Sequence, residues 1–162
     1  DTSHILQGVC AELENELTSQ PVINIDETGH PHNKSLAWLW VFVTTTFAFF
    51  TISASRGSQV IRSVLGELFD GIIISDRFSA YIKYHKDRSC GLLQLCWAHI
   101  IRDVKALSAE LAFGSSKPFS PLMRQHIGAV FRIWHAHKRN TMSREQLIAS
   151  TQPILREMRT FL

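Results

Sequence analysis

Gly71-Ile72-Ile73-Ile74-Ser75-Asp76-Arg77 decides the fold. An apolar run of strand length without polar alternation marks a strand buried on both faces, the habit of parallel sheets. This one stops on a carboxylate. A second run, Val22-Ile23-Asn24-Ile25-Asp26-Glu27-Thr28-Gly29, stops in the same way. Set side by side in one sheet, the two runs bring Asp26 and Asp76 together at a sheet edge. Paired hard oxygen donors suit Mg2+ or Mn2+, and a pair of such ions suits phosphodiester chemistry.

Working outward, residues 4–19 read as a helix, with Ile5, Leu6, Val9, Leu13 and Leu17 at helical spacing and Thr2 or Ser3 to cap it. Pro21 stops that pattern. Gly29-His30-Pro31-His32-Asn33-Lys34 is turn chemistry. Leu36–Thr44 and Phe47–Ser53 follow, dense in aromatic and β-branched residues, and the short Thr44-Thr45-Thr46 link makes them an antiparallel hairpin. Ser58 is a candidate cap for a helix with Val60, Ile61, Val64, Leu65 and Leu68 inward, ended by Asp70-Gly71.

After the Asp76 strand, the pattern predicts a short helix over Ser79–Tyr84 and a fifth strand over Gly91–Cys96. A helix over Trp97–Leu111 follows, with Ile100, Ile101, Val104, Leu107 and Leu111 inward. A strand, helix, strand sequence implies a right-handed crossover. Beyond the Gly114–Pro121 break, Leu122–Arg139 and Ser143–Leu162 read as helical only, with Pro153 as a kink or restart. The expected fold class is α/β. Its order is that of a ribonuclease-H-like mixed five-stranded sheet with flanking helices, followed by an α-helical insertion, and it makes the first and fourth strands neighbours. The expected domains are an N-terminal helix over 1–20, an incomplete catalytic core over 21–112 and a truncated insertion over 113–162.

The bulk numbers agree with one core-forming domain. Of 162 residues, 45% are hydrophobic and 19% charged, which excludes a disordered chain. Cys10, Cys90 and Cys96 are too few and odd in number for a disulfide framework, so a reducing, cytoplasmic setting is expected. No signal-peptide pattern opens the chain and no apolar run has membrane-spanning length, so no membrane partner is expected. The chain does not begin with Met, and a piece of a longer protein is expected.

Net charge is +3, split as −4 over residues 1–60 and +7 over residues 61–162. A basic half suits a polyanionic partner. Its bland alternative is a solvated helical surface.

Each candidate residue has a structural alternative. Asp26 fits a turn before Thr28-Gly29, and Asp76 fits a helix N-cap. Cys96-x-x-His99 invites a zinc site with His135 and His137, but it has no second pair at a recognised spacing, and a structural zinc is not the preferred reading. Arg56, Arg77 and Lys105 are candidate phosphate contacts; for the arginines the guanidinium fork matches phosphate oxygens. Trp38, Trp40 and Trp97 read as core rather than as base-stacking platforms.

Five pieces of sequence stand in order: Asp26-Glu27-Thr28-Gly29, Trp38-Leu39-Trp40, Ser55-Arg56-Gly57-Ser58, Ser75-Asp76-Arg77-Phe78-Ser79-Ala80-Tyr81, and Cys96-Trp97-Ala98-His99 with Arg102-Asp103. This series resembles the catalytic domain of DDE transposases of the insertion-sequence-66 type, from about Pro21 to Leu111. The resemblance implies a bacterial mobile-element enzyme that cuts and joins DNA with two divalent metals, Mg2+ or Mn2+, held by Asp, Asp and Glu. It needs no small-molecule cofactor, and it implies element ends and target DNA as partners, with a homo-oligomer in the DNA complex.

By that resemblance Asp26 is the first acid, Asp76 the second, and His99 lies near the active site. The third acid of such enzymes follows an Asn-Asn-containing motif that is absent from this chain, so it is expected beyond Leu162. Glu110, 34 residues after Asp76, is the candidate inside the chain. The alternatives are a related ribonuclease-H-like nuclease that cuts without joining, and an inactive DNA- or protein-binding remnant.

Overall fold

A computed structural model describes residues 2–32, 35–88, 91–111 and 119–160, without side-chain detail at 2–5, 32, 108–111 and 119–120. The chain divides into two compact units, Asp1–Cys96 and Trp97–Leu162.

The first unit opens with α1 (Thr2–Leu17), then β1 (Val22–His32), β2 (Ser35–Val43), β3 (Ala48–Ser53), α2 (Ser58–Leu65), β4 (Ile72–Ser75), α3 (Ser79–Asp87) and β5 (Leu92–Leu95). The five strands form one sheet in the order β3-β2-β1-β4-β5. β1, β2 and β3 pair antiparallel, whereas β4 pairs parallel to both β1 and β5. That mixed order is the ribonuclease-H-like arrangement expected from the sequence. The hairpin of β2 and β3 closes on Thr44, whose amide donates to the Phe47 carbonyl at 2.9 Å and whose hydroxyl accepts the Phe47 amide at 3.0 Å.

Strand alternation sorts the sheet into two faces. One carries Ile23, Ile25, Trp40, Phe42 and Ile73, all at most 3% exposed, and buries them against Val60, Ile61, Val64 and Leu65 of α2, Tyr81 and Tyr84 of α3, and Leu17 of α1. The other face presents Asn24, Asp26 and Thr28 of β1 beside Val41 of β2 and Phe50 of β3. The first core holds the sheet; the second face holds the candidate chemistry.

Three local expectations are corrected. Gly29-His30-Pro31-His32 does not turn; β1 runs on to His32, with Gly29 opposite Trp38 and Pro31 opposite Leu36. Pairing along a long β2 supplies ladder bonds that outweigh local turn propensity. Asn33 and Lys34 lie outside the described residues. Ser58 does not cap α2: the N-cap is Gly57, and Ser58 is a buried first-turn residue. Finally, α2 stops at Leu65 on Gly66, whose φ of 72° is a glycine conformation, so Leu68 is 84% exposed and Phe69 enters the core instead.

The second unit is α4 (Trp97–Leu111), α5 (Phe119–Lys138) and α6 (Arg144–Arg159). Val104, Met123 and Ile127 are its buried centre, flanked by Trp97, Ile100, Ile101, Phe131 and Met158. Trp97 meets Phe131 edge-on at 5.7 Å. Leu107, expected inward, is 41% exposed. Ser143 and Gln146 form a reciprocal capping box at the start of α6, which continues through Pro153 without a break. Among the described residues no helix is long and apolar enough to cross a membrane.

Candidate functional site

The parallel ladder sets the site. Val22 faces Ile72, Ile23 faces Ile73 and Asn24 faces Ile74. Two residues further along each chain stand Asp26, which lies inside β1 and not at the strand end expected from the sequence, and Asp76. β4 ends at Ser75, so Asp76 is the first residue beyond it. The Cys96 amide donates to the Ser75 carbonyl at 2.7 Å and ties the ends of β4 and β5 together.

Both acids are oriented by nearby backbone. Asp26 Oδ1 accepts the Glu27 amide at 3.0 Å, and Asp76 Oδ1 accepts the Phe78 amide at 2.8 Å. The Asp76 bond spans two residues and shapes the turn into α3, whose N-cap is Phe78 with no side-chain cap. Asp26 is exposed and Asp76 half-buried. Around Asp26 lies a shallow depression of about 130 Å³ formed with Thr28, Leu39, Val41 and Phe50. Both charges reach Tyr81 of α3. Burial, then the hydrogen bond and charge of Glu27, then the charges of Asp26 and Asp76, hold its hydroxyl far above the ordinary tyrosine range.

Two short carboxylates, one within β1 and one just past the end of β4, each with one oxygen steadied by an amide, are hard donors of the kind Mg2+ or Mn2+ takes. The donor set fits two of the three acids of such a centre. Among the described residues no group of three or more His, Cys, Asp or Glu stands close enough to hold a metal. Within the second unit, His99, His135 and His137, candidates for zinc, form no such group.

The Transposase IS66 family model matches residues 1–162, the whole chain. The chain belongs to the IS66 transposase family. No curated protein matches it significantly. Among solved structures it is similar to the HTLV-2 integrase catalytic core domain, solved with magnesium in a trimeric form. Identity there is 16%, over 60% of this chain and 75% of that one, with a TM-score of 0.35. It is also similar to a chain of the simian T-cell lymphotropic virus intasome, at 15% identity over 80% of this chain and 46% of that one, with a TM-score of 0.38.

In this IS66-family chain, Asp26 and Asp76 are brought together, while His99 and Lys105 belong to α4 of the second unit. His99 is half-buried, and its Nδ1 has no partner among the described residues. Lys105 and Arg77 are exposed. Glu110 lies on α4, and its side chain is outside the described residues. Cys10 and Cys96 are free thiols; Cys90 lies outside the described residues. Trp40 is fully buried, as its core reading requires.

Arg56, a candidate phosphate contact, is held by Glu27: Nε and Nη2 both reach Oε1, at 2.9 and 2.8 Å. Tyr81 donates its hydroxyl to Glu27 Oε2. Sequence reasoning missed this group. Its signal was present: Glu27 continues the inward alternation of Ile23 and Ile25, so a carboxylate was being sent into a core where it needs partners.

Proposed function

We propose that this chain is the Asp–Asp part of a transposase core that cleaves DNA strands and transfers them to a target in transposition of an insertion sequence. One observation carries the reading: in a chain of this family, the two acids come from neighbouring parallel strands, Asp26 within β1 and Asp76 just past the end of β4, each with one oxygen held by an amide. Asp26 and Asp76 would hold the metal, and the third acid lies beyond Leu162, with Glu110 the lesser candidate. Two divalent cations held there would supply the chemistry, one lowering the pKa of an attacking water or 3′-hydroxyl and the other relieving charge on the leaving oxygen.

The chain's own residues contribute position. Asp26 presents its oxygens from within β1, and Asp76 from the turn that follows β4. Arg77 and Lys105, with any outward edge of Arg56, take the phosphate backbone, and His99 lies near the scissile phosphate or orients an acid. DNA binding is then electrostatic and weakens steeply with salt. Copies of the chain assemble on the DNA, in the cytoplasm of a bacterial cell.

The test is Mn2+ calorimetry together with strand joining on a pre-nicked DNA duplex. The reading expects saturable Mn2+ binding that disappears in folded Asp26→Ala and Asp76→Ala proteins, and joining by a chain carrying the third acid. Cleavage without joining would favour the nuclease alternative. Absence of both metal binding and cleavage in the longer chain would leave a DNA- or protein-binding remnant.

A further inference from the structure

The Glu27 side chain is 1% exposed, and a buried carboxylate is costly unless donors surround it. Here Arg56 supplies two and Tyr81 a third. The Arg56 guanidinium also lies between two rings, 4.4 Å from the centroid of Trp38 and 4.0 Å from that of Phe78. Phe78 meets Tyr81 edge-on at 6.3 Å. Glu27, Arg56, Phe78 and Tyr81 thus form a closed ring of contacts on the covered face of the sheet.

Two members of that ring also touch the acids. Glu27 gives its amide to Asp26 Oδ1, and Phe78 gives its amide to Asp76 Oδ1. The side chains that close the ring therefore belong to the residues whose backbones orient the two carboxylates. β1 and the β4–α3 turn meet through Arg56, which comes from the loop between β3 and α2.

We propose that Glu27, Arg56 and Tyr81 are positioning residues, a clamp beneath the sheet that sets the spacing and orientation of Asp26 and Asp76. Arg56 then serves the site chiefly from below, through Glu27 and Phe78. This rests on the reading of Asp26 and Asp76 as metal ligands, since only then does their spacing matter to function.

The experiment compares the unmodified chain with Arg56→Gln and Tyr81→Phe by amide hydrogen exchange, residue by residue, and by Mn2+ calorimetry. The clamp predicts that the Phe78 amide exchanges roughly tenfold faster in both variants while the Trp40 and Phe42 amides keep their protection. It predicts Mn2+ affinity lowered roughly 10- to 100-fold in protein that remains folded, the scale seen when partners of metal ligands are removed. An unchanged Phe78 amide overturns the proposal. So does equal acceleration of all sheet amides, which would make the ring a general stabiliser. Tyr81→Phe removes a single oxygen and keeps the ring, which guards against a variant that fails to fold. Exchange needs no metal, so the Phe78 amide decides the clamp even if the chain without its third acid binds no Mn2+; failure of the metal reading is decided separately, on the longer chain.

Discussion

Asp26 and Asp76 each follow the Asn24–Ile74 pair by two residues, Asp26 within β1 and Asp76 just past the end of β4, and they are anchored differently. Asp26 accepts from its immediate neighbour inside a strand already paired with Val41. Asp76 accepts from Phe78 and thereby holds a turn. Asp26→Ala is expected to change stability by no more than about 0.5 kcal/mol, and Asp76→Ala to cost about 1 kcal/mol. Thermal denaturation of the two variants checks this. Equal losses would mean that the Phe78 bond does not stabilise the turn.

Tyr81 predicts a dependence on alkaline pH. Its hydroxyl is held far above the ordinary value, first by burial and then by Glu27. In the unfolded chain it ionises near pH 10, so above about pH 10 the folded state binds more protons than the unfolded one. The stabilisation is complete below that pH and declines as pH rises past it. The stability of the unmodified protein relative to Tyr81→Phe should therefore shrink between about pH 9 and pH 11, read from urea midpoints. A gap that stays constant across that interval would refute the assignment.

Arg88 is a structural arginine. It is 8% exposed, its Nη1 donates to the Phe69 carbonyl at 2.7 Å and its Nη2 to the Leu92 carbonyl at 2.9 Å. It joins the end of α3 to the entries of β4 and β5. Arg88→Met keeps an apolar stem but abandons both carbonyls, and it should cost about 2–4 kcal/mol in urea denaturation. A loss under about 1 kcal/mol would show that water replaces the guanidinium.

Two glycines should respond to alanine with opposite signs. Gly91 has φ 75°, and a Cβ there would stand 2.8 Å from the Gly71 carbonyl oxygen and 2.7 Å from Arg88 Nη1. Gly91→Ala should cost roughly 2 kcal/mol or more from strain and displacement of Arg88. Gly8 lies within α1, where a Cβ meets nothing within 4 Å. Gly8→Ala should gain about 0.5–1 kcal/mol. Melting temperatures that fall for both, or rise for both, would contradict this placement.

Most elements were legible because their signals are local. The Ile72-Ile73-Ile74 run, the aromatic hairpin and the helical spacing of α4 each lie within a few residues of sequence. Errors occurred where pairing overrode local chemistry, as when Gly29–His32 joined β1, and where α2 ended at Gly66 before its apolar pattern ran out. The candidate acids were visible because each ends an apolar run.

The sequence by itself determined the order of strands and helices and singled out the two carboxylates that follow apolar runs, because short-range patterning encodes both; that β1 continues past Asp26 to His32 was decided by its pairing with β2. Only the tertiary structure decided what holds those carboxylates. Glu27 meets Arg56 across 29 residues and Tyr81 across 54. A buried charge takes whichever partners the folded chain brings within hydrogen-bond reach, and no local spacing announces which they are.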